Sequence, residues 1–308
     1  SKNENFTGTI TVNGGVTVNA GTGAGSTDGA GIGSGKYGDM SGTITINEGA
    51  VVNASVTSYG AAIGSGESGF MSGDIIINGG EVHAESSSLG AAIGAGDMGD
   101  THLSGGMTGN ITINGGTVDA SSAQGTGIGA GDYGNMSGTI TISGGTVTTG
   151  TVDGDVGIGA GENMSGTITI SGGTVNITGA DEIGIGGGQA ATGNIVIGKG
   201  ADITLEEGAA IGTVSDFGGT LSVAPGAVIN GVKISDAESL EKAGVLNGSM
   251  NVKVGSKSTY SLGKLNIVSR IKSAEAGDTV YVYESQLSKG KLPYYVLEEL
   301  AEKDGVIL

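Results

Sequence analysis

Short runs in which apolar and polar residues alternate recur along this chain. Gly138–Ile142 reads GTITI, Gly42–Ile46 and Gly166–Ile170 have the same five residues, and Gly109–Ile113 reads GNITI. Strict alternation predicts a β-strand with one buried face, because successive side chains of a strand point to opposite sides of its sheet. In these strands the isoleucines therefore point into a core and the threonines point to solvent.

Each recurring unit contains three predicted strands joined by glycine-rich turns. A short Ile-Gly strand comes first, the Thr-Ile strand follows, and a Thr-Val strand such as Thr146-Val147-Thr148 comes after an Asn/Ser-Gly-Gly turn. The isoleucine of the Ile-Gly strand returns every 26 to 35 residues, at Ile32, Ile63, Ile93, Ile128, Ile158, Ile185 and Ile211. A period of this length, with one buried stripe per strand, predicts a solenoid in which every coil stacks on the previous one.

The predicted fold is therefore all-β: a parallel β-solenoid of about eight three-stranded coils, spaced roughly 4.8 Å apart. The repeat domain spans residues 1–234, and residues 235–308 form a capping helix and a small α+β module. The helix is expected over Ser235–Gly244, with a Ser235–Glu238 capping box and Gly244 at its end. Further strands and one helix are expected near Met250–Val254, Tyr260–Ser269, Thr279–Tyr283 and after Pro293.

Composition and charge exclude several classes of protein. The 66 glycines do not fall at every third position and there are only 2 prolines, which excludes collagen, while the alternating Ile and Val runs argue against disorder. Of the 31 acidic residues, 17 lie in residues 1–195 together with only two lysines, Lys2 and Lys36. So acidic a surface argues against nucleic acid and anionic membranes as partners. The chain has no cysteine and no apolar run long enough to span a membrane.

The repeated motif, GIGAG followed by MSGTITISGGTV, resembles the repeats of large cell-surface proteins of Gram-positive gut anaerobes. The resemblance covers roughly residues 8–230, and the tail segments GDTVYVY and LPYYVLEELAEKDGV resemble parts of similar proteins. It implies a right-handed parallel β-helix, the pectin-lyase-like fold, and a role as an adhesin or carbohydrate-binding protein. It carries over no catalytic residue, because the fold alone does not determine the chemistry.

The turn after each Ile-Gly strand is the first candidate site. It places an acidic residue at the same point of several coils, and some coils add an aromatic side chain. Three interpretations stay open: a solvated edge, a cation site with Ca²⁺ as the candidate ion, and a surface that contacts sugars. The candidate metal ligands are Asp97, Asp132 and Glu162. The candidate ligand surface comprises Tyr37, Glu67, Phe70, Asp97, Asp132, Tyr133 and Glu162.

The Ile-Gly strands give a second candidate surface, a strip of glycine and alanine along the rod. In Gly127-Ile128-Gly129 the isoleucine is expected to point inward and the two glycines outward. Either a ligand or another chain lies close against this strip, or the strand bends so tightly that only glycine fits.

These observations favour a non-catalytic adhesin or structural stalk that is extracellular, monomeric and attached to a cell surface. Its expected partner is a glycan or a surface protein of a host or bacterium. The alternative is a glycan-active enzyme, a polysaccharide lyase or glycoside hydrolase, on the same scaffold. The candidates for acid–base chemistry are scattered: His83 is on the outward phase of a strand, His102 is in an inserted loop, and Arg270 is the only arginine. We therefore expect no catalytic residues and no cofactor.

Overall fold

The computed structural model is a right-handed parallel β-solenoid of about seven turns. It describes residues 3–21, 28–98, 106–152, 156–180, 182–213, 217–247, 250–256 and 260–261, with isolated positions at 271, 276, 297, 300 and 301. The three strands of each coil form three ladders that run along the axis, which confirms the predicted arrangement. We name the ladders after their strands: Ile-Gly, Thr-Ile and Thr-Val.

The Ile-Gly ladder is a sheet of eight parallel strands with one strand from each coil. In chain order the strands are Ile32–Gly33, Ile63–Gly64, Ile93–Ala95, Ile128–Ala130, Val156–Ala160, Ile183–Gly187, Ala210–Thr213 and Leu246–Asn247.

The other two ladders belong to one continuous sheet that bends at the glycine turns. The Thr-Ile ladder contains Thr9–Val12, Thr43–Ile46, Asp74–Ile77, Asn110–Ile113, Thr139–Ile142, the first half of Thr167–Thr178, the first half of Asn194–Leu205, Phe217–Val223 and Met250–Val254. The Thr-Val ladder contains Thr17–Gly21, Val51–Val56, Glu81–Ser86, Thr117–Ser122, Thr146–Thr151, the second halves of the two long strands, and Val228–Ile229, which pairs antiparallel with Val232–Lys233.

The core consists of columns of identical or similar side chains, because the coils stack in register. Ile111, Ile140 and Ile168 are consecutive partners in one column, and all three are fully buried. A column of methionines lies where the chain passes from the Ile-Gly ladder to the Thr-Ile ladder. It comprises Met40, Met71, Met107, Met136 and Met164, all fully buried. Short strands mark this passage at Phe70–Met71, Gly106–Met107, Asn163–Met164 and Ala190–Ala191.

The expectation that the glycines of the Ile-Gly strands point to solvent is wrong. Gly127 and Gly129 are buried, and Gly129 has a φ of +137°, which L side chains rarely adopt. A Cβ atom built on Gly129 would lie 1.9 Å from the carbonyl oxygen of Gly159 in the next coil. Gly64, Gly94, Gly159 and Gly186 have the same conformation, and each faces the carbonyl oxygen of the equivalent glycine in the next coil. Backbone geometry therefore requires these glycines. This is the second of the two interpretations of the strip, in which only glycine fits the strand.

The C-terminal part of the described chain continues the solenoid. Leu246–Asn247 pairs with the Ile-Gly ladder, and Met250–Val254, a strand in the predicted place, pairs with the Thr-Ile ladder. Among the described residues the last short strand is Tyr260–Ser261, and the other elements predicted after residue 262 fall outside the described residues except for isolated positions. The boundary at 234/235 stays a prediction, although the ladders extend past it.

Helix α1 (Ala237–Lys242) forms within the predicted range, but the ladders continue after it through Leu246–Asn247 and Met250–Val254, and its N-terminal cap differs from the predicted one. Asp236 is the N-cap, and its carboxylate accepts a hydrogen bond from the Ser239 backbone N–H at 2.9 Å. The Ser239 side chain completes the capping box, so Ser235 and Glu238 do not form it. Asp and Ser cap helices about equally well, which is why the sequence did not distinguish the two registers. The fully buried Leu240 anchors the helix in the core.

Candidate functional site

The turn that joins each Ile-Gly strand to the methionine column forms one edge of the rod, which we call the polar corner. It comprises residues 34–39, 65–70, 96–98, 131–135 and 161–163. Tyr37, Ser68 and Tyr133 have φ values of +59°, +58° and +53°. The Tyr37 N–H donates to the Glu67 carbonyl at 2.8 Å, and the Ser68 N–H donates to the Asp97 carbonyl at 2.7 Å. These hydrogen bonds stack the turns of successive coils.

The aromatic side chains of the polar corner are exposed. Tyr37 is 48%, Phe70 38% and Tyr133 45% accessible to solvent. Tyr59, which the sequence analysis missed, is 42% accessible and lies beside the corner, where its carbonyl accepts from the Asp97 N–H at 2.8 Å. Within the described part of the chain these are four of seven exposed large hydrophobic residues. The signal for Tyr59 was present in the Ser-Tyr-Gly turn, which recurs one coil later as Ser-Leu-Gly.

The acidic residues of the polar corner do not form an evenly exposed edge. Glu67 is 8% and Asp97 only 2% accessible, whereas Asp132 and Glu162 are half-buried. The Asp132 carboxylate accepts a hydrogen bond from the Tyr133 backbone N–H at 2.9 Å, which helps to hold that tyrosine in its unusual conformation. Of the predicted ligand surface, the aromatic members therefore reach solvent most fully, and Glu67 and Asp97 contribute to the structure beneath them.

Glu67 belongs to an ion cluster that the sequence did not reveal. The Lys36 Nζ lies 2.6 Å from Asp28 Oδ2 and 2.7 Å from Glu67 Oε2, and all three side chains are largely shielded from water. Lys36 also lies 5.0 Å from the centre of the Tyr37 ring. Asp28 comes from the loop before the Ile-Gly strand, so only the folding of the coil brings it to Lys36.

The charges of this cluster shift one another's pKa values. Burial raises the pKa of Glu67, against the opposing effect of the Lys36 ammonium. Burial acts in the same sense on Asp28, but Lys36 outweighs it and holds the pKa of Asp28 below its ordinary value. Burial by itself would lower the pKa of Lys36, yet its hydrogen bonds to the two carboxylates raise that pKa above the ordinary value. The cluster is thus an ion pair with a second carboxylate attached.

Calcium at the polar corner stays a prediction. In the part of the chain that the structure describes, no three His, Asp or Glu side chains come together in a way that could hold a metal ion. Asp97, Asp132 and Glu162 lie on different coils, and Asp97 is buried.

A second polar surface, which the sequence analysis did not predict, lies on the outer face of the Thr-Val ladder. Asn19, Asn53, His83 and Asp119 are partners on four neighbouring strands and form one row along the axis. Asn53 Nδ2 donates to Asn19 Oδ1 at 2.8 Å. His83 points outward as predicted, with its Nε2 2.9 Å from Glu81 Oε1 and its Nδ1 3.8 Å from Asp119 Oδ2.

Beside this row lies a groove with a volume of about 600 Å³, which we call the polar groove. Its far side is the next outward row, Gly21, Ser55, Glu85 and Ser121, and its floor is backbone with the alanines between the two rows. The groove exists because three of the four residues in this second row are small.

His102, the other histidine, lies outside the described residues.

Comparison with known proteins supports the β-helix fold but gives no information on function. A family model described as a Beta helix repeat matches residues 75–97, 111–132 and 168–189. Each match runs from a Thr-Ile strand through the Thr-Val strand to the next Ile-Gly strand and its corner. No curated protein and no solved structure matches the chain.

In the described residues, no helix has the length and apolar character needed to cross a membrane.

Proposed function

Taking the chain as a parallel β-helix repeat protein, we propose that it is a non-catalytic, adhesive segment of a bacterial cell-surface protein that binds glycans along its polar corner. The repeats that it resembles belong to such proteins of Gram-positive gut bacteria. In this proposal the rod acts outside the cell, as a monomer, and its parent protein attaches it to the surface.

One observation carries the proposal: exposed aromatic side chains are concentrated at the polar corner. Tyr37, Phe70 and Tyr133 lie on three coils of one edge, and Tyr37 and Tyr133 are three coil spacings apart, roughly 14 Å. A tyrosine offers a flat apolar face with a hydroxyl at its rim, which suits the alternating apolar and hydroxylated surfaces of a sugar ring. Aromatic side chains at intervals along a stiff edge suit a linear polysaccharide better than a compact ligand.

The test is binding of the whole chain to an array of polysaccharides, followed by titration of the best ligand. Replacing both tyrosines, as in Tyr37→Ala/Tyr133→Ala, is expected to weaken binding at least about tenfold, because each aromatic contact contributes roughly 1 kcal/mol. Val152→Ala is the matched control, since Val152 is exposed and directly follows the Thr-Val strand Thr146–Thr151, outside the residues of the corner. Binding that the double variant leaves unchanged, or an array with no ligand, would contradict the proposal.

The alternative function, a glycan-active enzyme, has its best site in the polar groove. There the His83 imidazole lies between the carboxylates of Glu81 and Asp119, and paired carboxylates are the usual groups for cleaving glycosidic bonds. Release of reducing ends or unsaturated products from any polysaccharide, lost in Asp119→Asn, would favour the enzyme over the adhesin.

A further inference from the structure

We infer that the polar groove is a second, separate binding site, and that it takes a short oligosaccharide carrying free amino groups. It lies on the Thr-Val face rather than on the polar corner, and its lining differs in kind. The described residues that line the groove include no Phe, Tyr or Trp, so hydrogen bonds and charge must hold its ligand.

The size and direction of the groove indicate a short linear ligand. A volume of about 600 Å³ lies in the range typical of small-molecule sites, roughly 300–1,000 Å³. The groove crosses four neighbouring strands, from Asn19 to Asp119, which corresponds to about 14 Å along the axis. A chain of a few sugar units that lies parallel to the rod would contact each strand once.

The polar groups of the groove define the chemistry of the ligand. Glu85 and Asp119 are carboxylates that accept hydrogen bonds, and Glu81 lies next to His83 on the same strand. Ser55, Ser121 and the two asparagines add groups that can both donate and accept. Lysine and arginine are absent from the described lining, and its one basic group, the His83 imidazole, already lies against the carboxylates of Glu81 and Asp119, so uronic acids and sulfated sugars find little counter-charge there. Hydroxyl groups and protonated amines are the complementary groups.

The two rows that border the groove lose their charged residues in the next coils, so the site is limited to the coils from Asn19 to Asp119. The row of Asn19 and His83 continues as Thr148 and Asn176, and the row of Glu85 continues as Gly150 and Thr178. These later positions carry no charge. Among the described residues of this outer face, carboxylates return at Asp202, in a third row three strands beyond Asp119, and at Glu206 just past the end of the same strand, where it accepts a hydrogen bond from the Gly179 backbone N–H. Asp202 therefore provides a matched control.

The test uses the whole chain and a tetramer of glucosamine as the probe, with the N-acetylated tetramer and a glucuronate oligosaccharide for comparison, by calorimetric titration at pH 6. We expect the amine-bearing tetramer to bind and the other two to bind at least about tenfold more weakly. Asp119→Asn and Glu85→Gln should each weaken binding by a similar factor, whereas Asp202→Asn should leave it unchanged.

Two results would overturn the inference. The first is an amine-bearing tetramer that does not bind, or that binds no better than its N-acetylated form. The second is binding that Asp119→Asn and Asp202→Asn weaken equally, which would indicate attraction to the acidic rod as a whole. Tyr37→Ala/Tyr133→Ala should retain tetramer binding, so the failure of this site and the failure of the polar corner remain distinguishable.

Discussion

At the scale of single residues, glycine conformation determines whether the coils can stack. In the Ile-Gly ladder seven of the eight strands carry a glycine with positive φ, and from Gly33 to Gly186 the missing Cβ makes room for the carbonyl of the next such glycine. For Gly129 this neighbour is Gly159, and for Gly159 it is Gly186. A strip of small residues on a predicted strand can thus be a requirement of the backbone rather than a surface for a ligand.

Gly129→Ala should therefore destabilise the protein by about 2 kcal/mol or more, because it adds both a strained φ and a clash with backbone. Gly150→Ala is the control: its φ lies outside the positive region, and its new Cβ would meet the Thr178 hydroxyl at 3.3 Å and no backbone atom nearer than 3.9 Å. Chemical unfolding followed by circular dichroism measures both variants. Equal stabilities of the two variants would contradict this account of the ladder.

The ion cluster gives a residue-scale prediction with a pH dependence. Lys36→Met leaves the carboxylates of Asp28 and Glu67 close together without a cation, and should cost about 2 kcal/mol at pH 7. The lowered pKa of Asp28 contributes stability above 3.8, which is lost as the pH falls through the folded pKa. The raised pKa of Lys36 contributes stability below 10.5, which is lost as the pH rises further. The raised pKa of Glu67 acts in the opposite sense to that of Asp28 and costs stability above 4.5.

The difference in unfolding free energy between Lys36→Met and the parent chain should accordingly be largest between about pH 5 and 10, and should shrink below pH 4. Lys253→Met, at an exposed strand position, is the control and should show little change. A loss for Lys36→Met that is the same at pH 3 and pH 7 would mean that the ammonium charge is not what stabilises the cluster.

At the scale of elements, stacked columns replace the usual mixed core. In successive coils, isoleucine packs on isoleucine in the Thr-Ile ladder, methionine packs on methionine beside it, and asparagine is hydrogen-bonded to asparagine in the turns. In the turn column, Asn78 Nδ2 donates to Asn47 Oδ1 at 3.0 Å, and Asn114 Nδ2 donates to Asn78 Oδ1 at 2.9 Å. Each column continues only if the next coil has the same register, so the columns enforce the register of the strands.

The two faces of one strand can be compared directly. Ile140→Ala removes a fully buried side chain from the middle of a column and should cost about 2–5 kcal/mol. Thr141→Ala, on the next residue and the opposite face, should change stability by no more than about 0.5 kcal/mol. Thermal and denaturant unfolding of both variants would check the assignment. A larger loss of stability for Thr141→Ala than for Ile140→Ala would contradict it, because it would make Thr141 the buried side chain.

At the scale of the whole molecule, the rod is a one-dimensional stack in which each coil contacts mainly its neighbours. Stability is then roughly a sum of coil and interface terms, so whole coils are exchangeable. The acidic residues are concentrated in the same stack, which leaves the polar corner and polar groove in a negative field. That field favours neutral or cationic glycans over acidic ones at both sites.

Deleting residues 128–157 removes one complete coil and joins Gly127 to Ile158, so the remaining columns can close in register. This shortened rod should fold and unfold cooperatively with a modest loss of stability. Deleting residues 128–142 removes only part of a coil and should prevent folding, because the following strands would face the wrong ladder. Circular dichroism and protease resistance distinguish the two, and failure of both deletions to fold would contradict independent stacking.

The sequence by itself determined the architecture: alternation defined each strand and its buried face, and the repeat period defined the stack. Isoleucines such as Ile140 had to be inside, since an isoleucine, leucine or valine recurs at the same phase in every coil. The tertiary structure decided what the sequence left open, because it depends on which coils become neighbours. Only stacking brings Glu67 to Lys36, buries Asp97 while exposing Tyr133, and aligns Asn53, His83 and Asp119 into one row. Residues that are 30 or more positions apart meet there through register alone, and no local pattern encodes that meeting.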